Sequence, residues 1–531
     1  MDSNKEIDRG LSGINYNVVL RDRNWLLVFP LIFLTLQLIV LEKYGSFLAE
    51  GWFSDVAYNL NSEYNGRMAS DIPYGAGWST GIGKLFFLIH HAFYKVLGVG
   101  LFQARLVTFV CGVVLLILVY RWTKKHISSE VATLSTLLLA LSPLLCLCLP
   151  DARQDVMHCL FAFISFYFIS TAVLNDKSLY FFLAGIFSAL SVDISYRGVE
   201  IVVAVYVFHC VFLKRDKLLK HSVLLMAGSL VSLVYWLSIN VLPIGMENFM
   251  THHFASASND GGSFSIGTLL TEAKRFLNLF SGKARFFLST EIVYLAVLSV
   301  IFYKYRLNYR AVSRVLFAWF TICFFIMSFV EKTTLRSPLL MYYPIISVFA
   351  GIGLCELFKQ KRVLANVILV MIVLLVSIFQ TGRFAVYGYH KYIKQDSDIK
   401  GYYGKLRSSV DLSKAIIGST EHWYAFPDSQ YYGGQFYLCR IKDLKPADEY
   451  GSDSVRTEAL LNVFKKRKIE YIIADEHFKP SIINYFQNKE IPSKNFLLIK
   501  TINDRFIGYG SPSLHGPPYK TEIYKIISYD P

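Results

Sequence analysis

Long apolar runs separated by short basic turns dominate the first 381 positions of the chain. Asn24–Leu41 (NWLLVFPLIFLTLQLIVL) and Val363–Gln380 (VLANVILVMIVLLVSIFQ) are two of them. A helix needs about 20 apolar residues to cross roughly 30 Å of hydrocarbon. The pattern predicts about eleven transmembrane helices, near 24–41, 104–122, 130–149, 157–174, 178–193, 199–213, 222–242, 289–303, 312–329, 338–358 and 363–381. One further run, Ile82–Leu97, carries Lys84, His90, His91 and Lys95. Counted as a span it would invert every later loop, so it is read as an amphipathic helix lying in the interface.

Basic residues set the orientation. With the N-terminus cytoplasmic, the inner loops hold Arg121, Lys124 and Lys125; Lys177; Lys214, Arg215, Lys217 and Lys220; Lys304, Arg306 and Arg310; and Lys359, Lys361 and Arg362. Every inner loop is then basic, as the positive-inside rule requires. A large loop over 42–103, a loop near 243–288 and the tail from 382 face outward. The tail changes character: short β-rich runs at 415–420, 435–440, 469–475, 496–502 and 521–528 surround a helical stretch at 455–468. The expected fold is mainly α, a polytopic membrane protein with a soluble α/β C-terminal domain on the extracytoplasmic side. The expected division is a membrane domain over 1–383 and an outer domain over 384–531.

Composition agrees. Hydrophobic residues make up 54% and charged residues 18%, the latter below the roughly 25% of soluble domains. The net charge of +15 would suit nucleic acid, but the cations sit in turns between apolar runs, which argues for membrane orientation instead. Seven of the eight cysteines lie in or beside apolar segments, which is not a disulfide framework. Cys146 and Cys148 read as packing residues.

The chemistry-bearing positions cluster at the outer ends. Asp55 follows the first helix, and Asp151 and Asp155 lie in PDARQDVM between the third and fourth. A carboxylate beside a bilayer is costly unless solvated or used, so these are either loop residues in water or functional groups. Arg105, Arg153, Arg197 and Arg336 stand where the charge rule disfavours them. Each needs a partner, which is a lipid headgroup, a neighbouring Asp or a phosphate matched to the guanidinium fork. The adjacent His252 and His253 have poor ligand spacing, and no metal or nucleotide motif accompanies them.

The layout resembles the GT-C membrane glycosyltransferases, which include protein O-mannosyltransferases and the lipid A aminoarabinose transferases. Asp55-Val-Ala-Tyr58 is similar to the family's D-E-A-x-Y, with Val56 in place of a second acid. Asn65-Gly66, Pro73-Tyr74, Lys95-Val-Leu-Gly98, Ala104-Arg105-Leu106, Ala152-Arg153-Gln154-Asp155 and Tyr342-Tyr343-Pro344 follow in the family's order. Thr80-Gly-Ile-Gly83 departs from the family's K-P-P-L, which bears on the role of Lys84. The resemblance covers roughly 20–381 and is weaker in the tail.

It implies transfer of one sugar from a polyprenyl- or dolichyl-phosphate donor to a hydroxyl acceptor at the outer face, with inversion. Asp55 would be the general base and Asp155 would orient the acceptor or a cation. Arg336, Arg153, Arg105, Arg275 and Lys84 would hold the donor phosphate, and Tyr58, Tyr342 and His253 would line the acceptor and sugar pocket. No cofactor is required, with a divalent metal as the minor alternative. The expected partners are the lipid-linked donor, membrane lipids and the acceptor, in the plasma (inner) membrane. The alternatives are a lipid-linked glycan transporter or flippase, and an O-antigen ligase or polymerase.

Overall fold

The computed structural model describes residues 27–41, 50–59, 84–195, 197–212, 217–242, 310–330, 337–358, 399–433, 450–476, 478–486, 490–504 and 519–530, with two isolated positions, 246 and 447. The first part is helical: α1 Val28–Val40, α2 Glu50–Tyr58, α3 Lys84–Leu97, α4 Leu101–His126, α5 Ser129–Ala140, α6 Pro143–Cys148, α7 Gln154–Asn175, α8 Ser178–Ile194, α9 Gly198–Phe212, α10 Leu218–Trp236, α11 Arg310–Val330 and α12 Tyr343–Phe358. Three described stretches are long and apolar enough to cross a bilayer unaided, Leu101–His126, Gln154–Asn175 and Leu219–Val241. The other apolar helices are shorter, so the expected count of eleven spans is not established. The expected spans at 289–303 and 363–381 lie outside the described residues.

The surface of the bundle is apolar. Val199, Val203, Val207 and Val211 are all exposed at steps of four along α9, and Val223, Met226, Leu230 and Val234 line α10 in the same way. Such ridges suit lipid, because water would penalise a continuous apolar stripe of this kind. The interior is filled by Trp122, Phe166, Phe208, Trp319 and their aliphatic neighbours. Gly185 and Gly228 let α8 and α10 meet backbone to backbone. A Cβ at Gly185 would lie 2.2 Å from the Leu225 carbonyl oxygen, and one at Gly228 would lie 2.0 Å from that of Phe182.

The bundle has two chemically different ends. At one, Lys125 and Lys177 both lie 5.7 Å from the Tyr180 ring, and Lys217 pairs with Asp176. These belong to the basic turns that the charge rule places inside. The other end gathers acids and arginines, described below.

The apolar run expected as one helix over 130–149 is two. α5 stops at Ala140, and α6 starts at Pro143 after Ser142, whose hydroxyl accepts the Leu145 N–H. Proline has no N–H to give and disfavours helix in the residue before it, so the chain breaks there and Pro143 opens the next helix. α3 is a single helix of 14 residues, about 21 Å long. Its N-terminus is held at the end of α8 by Asp193, which accepts the Leu85 N–H at 3.1 Å.

The tail contains α13 Ile399–Arg407, β1 Ala415–Gly418, β2 Tyr431–Gly433, α14 Asp453–Arg467, β3 Ile469–Ala474, α15 Lys479–Ile483, β4 Phe496–Asp504 and β5 Tyr519–Ile526. The five strands form one sheet in the order β2-β1-β3-β5-β4, with β1 parallel to β2 and β3, and β5 antiparallel to β3 and β4. One face packs on α14 and α15 through Leu460, Phe464, Ile472, Ile482 and Phe496. The other face belongs to a second core. There Ile416, Tyr431, Tyr471, Ile473 and Ile523 share a cluster with Trp52, Phe53, Phe86, Phe87 and Tyr94 of α2 and α3. The β-rich run at 435–440 lies outside the described residues.

At Gly51 the outer loop approaches the tail closely. A Cβ there would lie 1.9 Å from the carbonyl oxygen of Thr420. Gly51→Ala must therefore push the tail away from α2. It should cost about 1–3 kcal/mol, read as a lower unfolding temperature in detergent and faster proteolysis within 420–430. Gly404→Ala in α13, where a Cβ would meet nothing within 4 Å, should leave both unchanged or slightly improved.

Candidate active site

The outer end is organised by Glu50, the first residue of α2. Its carboxylate receives the Arg105 fork, Nε at 2.9 Å and Nη2 at 2.8 Å, and Arg105 Nη1 donates to the Leu41 carbonyl at 2.7 Å. The Ala152 N–H donates to the same carboxylate at 2.7 Å. Both side chains are sealed from solvent. Arg105 is expected from the sequence at the donor phosphate; the structure pairs it with Glu50, an acid that the sequence pattern does not single out.

The turn that Glu50 holds leads into the second group. Asp155, in the first turn of α7, lies between Arg153 (Nε at 3.2 Å) and Arg197 (Nη1 at 3.6 Å). Arg153 keeps partial exposure, with 23% of its side chain open, whereas Arg197 is nearly closed. One helical turn deeper, His158 Nε2 faces Glu200 at 3.4 Å. Burial, and then the Glu50 carboxylate, push the Asp151 carboxyl up to about 8 against the pull of Arg105 and Arg153.

Asp55 lies farther along α2 and is buried. Its Oδ1 accepts from Asn59 Nδ2 at 2.9 Å, one helical turn on, and from the indole Nε1 of Trp423 at 2.9 Å. Trp423 belongs to the tail, in a 3₁₀ turn over Thr420–Ala425. The Tyr58 ring stands edge-on to Trp423, centroids 6.2 Å apart, and its hydroxyl donates to Asp428 at 2.8 Å. Beside them Tyr94 donates to Ser54, Ser54 is 2.7 Å from the Tyr424 hydroxyl, and Tyr424 donates to the Glu50 carbonyl. His91 reaches the Ala57 carbonyl at 2.8 Å and fastens α3 to the end of α2. The site is thus made by the outer loop and the tail together.

The remaining expected residues divide. Lys84 is buried, and its ammonium donates to the Ile239 carbonyl at 2.6 Å. That carbonyl belongs to a π-helical turn, Leu237–Val241, closing α10. A cation at a helix C-terminus is electrostatically satisfied, so the buried charge of Lys84 does not require a phosphate. Tyr342 is closed in the helix core, 2% exposed, with its hydroxyl on the Cys323 carbonyl at 3.3 Å; it does not line the outer site. Arg336, Arg275 and His253 lie outside the described residues. The structure thus brings Asp55 and Tyr58 together and places Asp155 with Arg153.

Comparison with known proteins agrees with this architecture. Residues 84–239 match the dolichyl-phosphate-mannose-protein mannosyltransferase family. No curated protein matches the sequence at a significant level. Among solved structures, ArnT from Cupriavidus metallidurans in the apo state superposes with a TM-score of 0.60 at 11% identity, covering 96% of this chain and 99% of that one. The same protein bound to undecaprenyl phosphate gives 0.56 over the same shares at 11% identity. The archaeal oligosaccharyltransferase AglB from Archaeoglobus fulgidus, in complex with an inhibitory peptide and a dolichol-phosphate, gives 0.52 at 14% identity, over 88% of this chain and 72% of that one. These matches agree with the resemblance read from the motifs, and the fold is one that these solved structures share.

Removing one partner of a buried ion pair strands the other, at about 3–5 kcal/mol. Arg105→Met should therefore lower the unfolding temperature and yield sharply, and adding Glu50→Gln should recover part of the loss. A phosphate-only role for Arg105 would leave the melting temperature unchanged.

A carboxyl whose folded pKa is raised, like that of Asp151, stabilises the fold below its unfolded pKa of about 4. That contribution is lost as pH rises through the folded value. Asp151→Asn cannot lose it, so its melting temperature relative to wild type should climb between about pH 5 and pH 9.

Proposed function

We propose that this protein is a membrane glycosyltransferase that moves one sugar from a polyprenyl- or dolichyl-phosphate carrier to a hydroxyl acceptor. The reaction takes place at the outer end of the helix bundle and proceeds with inversion at C1. The single observation that carries the reading is Asp55: a buried carboxylate, aimed by two N–H donors, at the junction of outer loop and tail. Burying a carboxylate is expensive, and such a group is kept where it is paired or used. Two of the solved structures named above hold undecaprenyl phosphate or a dolichol-phosphate, and that supports a lipid-phosphate donor here.

Each group has a task in this reading. Asp55 takes the proton from the acceptor hydroxyl as its oxygen attacks C1, and the bond from C1 to the carrier phosphate breaks. Asp155, steadied by Arg153 and Arg197, orients the acceptor. The leaving phosphate needs fixed positive charge rather than a proton. Arg153 combines a place at this end with a side chain partly open to solvent, so it is the donor-phosphate ligand we favour, with Arg336 and Arg275 as further candidates. Tyr58, beside Asp55, borders the sugar. The chemistry needs no cofactor, and the lipid-embedded donor and membrane-bound enzyme meet in the plasma (inner) membrane.

Asp55→Asn preserves shape and removes the basic oxygen. Transfer from a purified lipid-phosphate sugar should fall by about 10²–10⁴-fold, the usual contribution of a general base, while donor binding and melting temperature hold. Near-normal turnover in Asp55→Asn with a dead Asp155→Asn would assign the base to the other carboxylate. Activity in both variants, or no transfer by wild type from any lipid-phosphate sugar, would overturn the reading.

A further inference from the structure

The tail turn that meets Asp55 is more rigid than docking alone requires. Ser419 caps it by accepting the Glu421 N–H, and Tyr431 donates to the Ser419 carbonyl. Tyr403 donates to the Glu421 carbonyl at 3.1 Å, and the Tyr402 hydroxyl lies 2.9 Å from His422 Nε2. Phe426 stacks on Tyr431 at 5.4 Å and 11°. α13 and the sheet therefore clamp the turn from both sides, and Thr420, Glu421, His422 and Trp423 are all buried.

Docking is served by other contacts: the Gly51–Thr420 backbone approach and the aromatic cluster around Trp52 and Phe53. A phenylalanine at 423 would fill most of the same apolar space. What tryptophan adds is one N–H, and that N–H points at Asp55 Oδ1 from 2.9 Å. A buried indole N–H requires an acceptor, and a buried carboxylate requires donors. Each meets the other's need across 368 residues of chain.

We propose that Trp423 is a positioning residue of the catalytic centre: through its indole N–H, the C-terminal domain fixes the orientation of the Asp55 carboxylate. The proposal rests on Asp55 being the base. It gives the tail a part in the chemistry itself, so the helix bundle alone is an incomplete enzyme. Asn59 supplies the second donor from within α2, so the carboxylate is held at once by its own helix and by the tail.

The full-length protein in detergent tests this. Trp423→Phe keeps an aromatic ring and removes the N–H together with the pyrrole half of the indole. A hydrogen bond to a charged group of this kind corresponds to roughly a 10- to 100-fold loss in kcat. KM for the lipid-phosphate sugar should stay within about twofold, because substrate binding is not the interaction removed. In an Asp55→Asn background, Trp423→Phe should cost nothing further, since residues acting as one unit are not additive. Wild-type kcat in Trp423→Phe would overturn the proposal. So would an equal additional loss on top of Asp55→Asn, which marks a general packing role. A substrate-free measurement separates this from the functional reading. With 5-fluorotryptophan incorporated, the ¹⁹F resonance that disappears in Trp423→Phe should shift in Asp55→Asn. If it shifts while no lipid-phosphate sugar is transferred by wild type, the contact stands and the glycosyl-transfer reading falls. If it does not shift, the positioning role falls alone.

Discussion

The Glu50–Arg105 pair is the constraint on which the outer end depends. Taking two ions out of water costs several kcal/mol each, and the attraction between them offsets this only when geometry is good and the remaining polar atoms are satisfied. Both conditions hold here. Arg105 spends two N–H groups on the carboxylate and a third on the Leu41 carbonyl, while Glu50 also accepts the Ala152 N–H. Four pieces of chain converge on this one pair: the end of α1, the start of α2, the first turn of α4 and the turn before α7. Moving any of them strands a buried charge. The pair therefore stabilises this arrangement less by its own net energy than by making alternatives expensive.

Function follows from that placement. α2 starts at Glu50, so fixing its first residue fixes the line along which Asp55 and Tyr58 are presented. The same carboxylate holds the 151–153 turn, and Asp155 opens α7 immediately after. Between α7 and α9 the charges then form two rungs. Asp155 meets Arg197, and three residues on along each helix His158 meets Glu200. That spacing places both rungs on one face of each helix. Both rungs are nearly closed to solvent, and the lower one lies one helical turn deeper in the bundle. Two carboxylates far apart in sequence are thus referred to the same buried anchor.

Most of the bundle was legible because a bilayer imposes a coarse rule: apolar runs of a set length, with cations at one end. The tail strands at 415, 469, 496 and 521 were legible from β-rich runs between turn residues. The break at Pro143 was written in the Ser-Pro pair, but an unbroken apolar run masks a helix break when hydropathy is the signal being read. The site was harder. Arg105 was recognised as a misplaced cation, and its acid lies 55 residues earlier in a loop without periodicity, so its identity as a structural partner appears only once the chain is folded. Lys84 was chosen by position within the motif order, yet it answers a helix C-terminus. Tyr342 was chosen from a motif whose neighbours fold into the core. Local pattern identifies which residues are out of place for a membrane helix, and only tertiary contacts say what each is out of place for.

The tail illustrates the same point from the other side. Its sheet buries two faces, and they do different work. The face under α14 and α15 is an ordinary aliphatic core built from Leu460, Phe464, Ile472 and Phe496, enough to hold the strands together. The opposite face is rich in tyrosine and tryptophan: Tyr402, Tyr403, Trp423, Tyr424, Tyr431 and Tyr471. Aromatic residues with a polar tip suit a surface that must be apolar against α2 and α3 and still offer hydrogen bonds. Each of Tyr402, Tyr403, Trp423, Tyr424 and Tyr431 does place its polar atom on a partner, and three of those partners, Asp55, Ser54 and the Glu50 carbonyl, are on α2. An aliphatic face would have docked the tail equally well. The choice of amphipathic side chains makes sense if the seam between tail and membrane domain has to carry a hydrogen-bonded carboxylate in a fixed orientation.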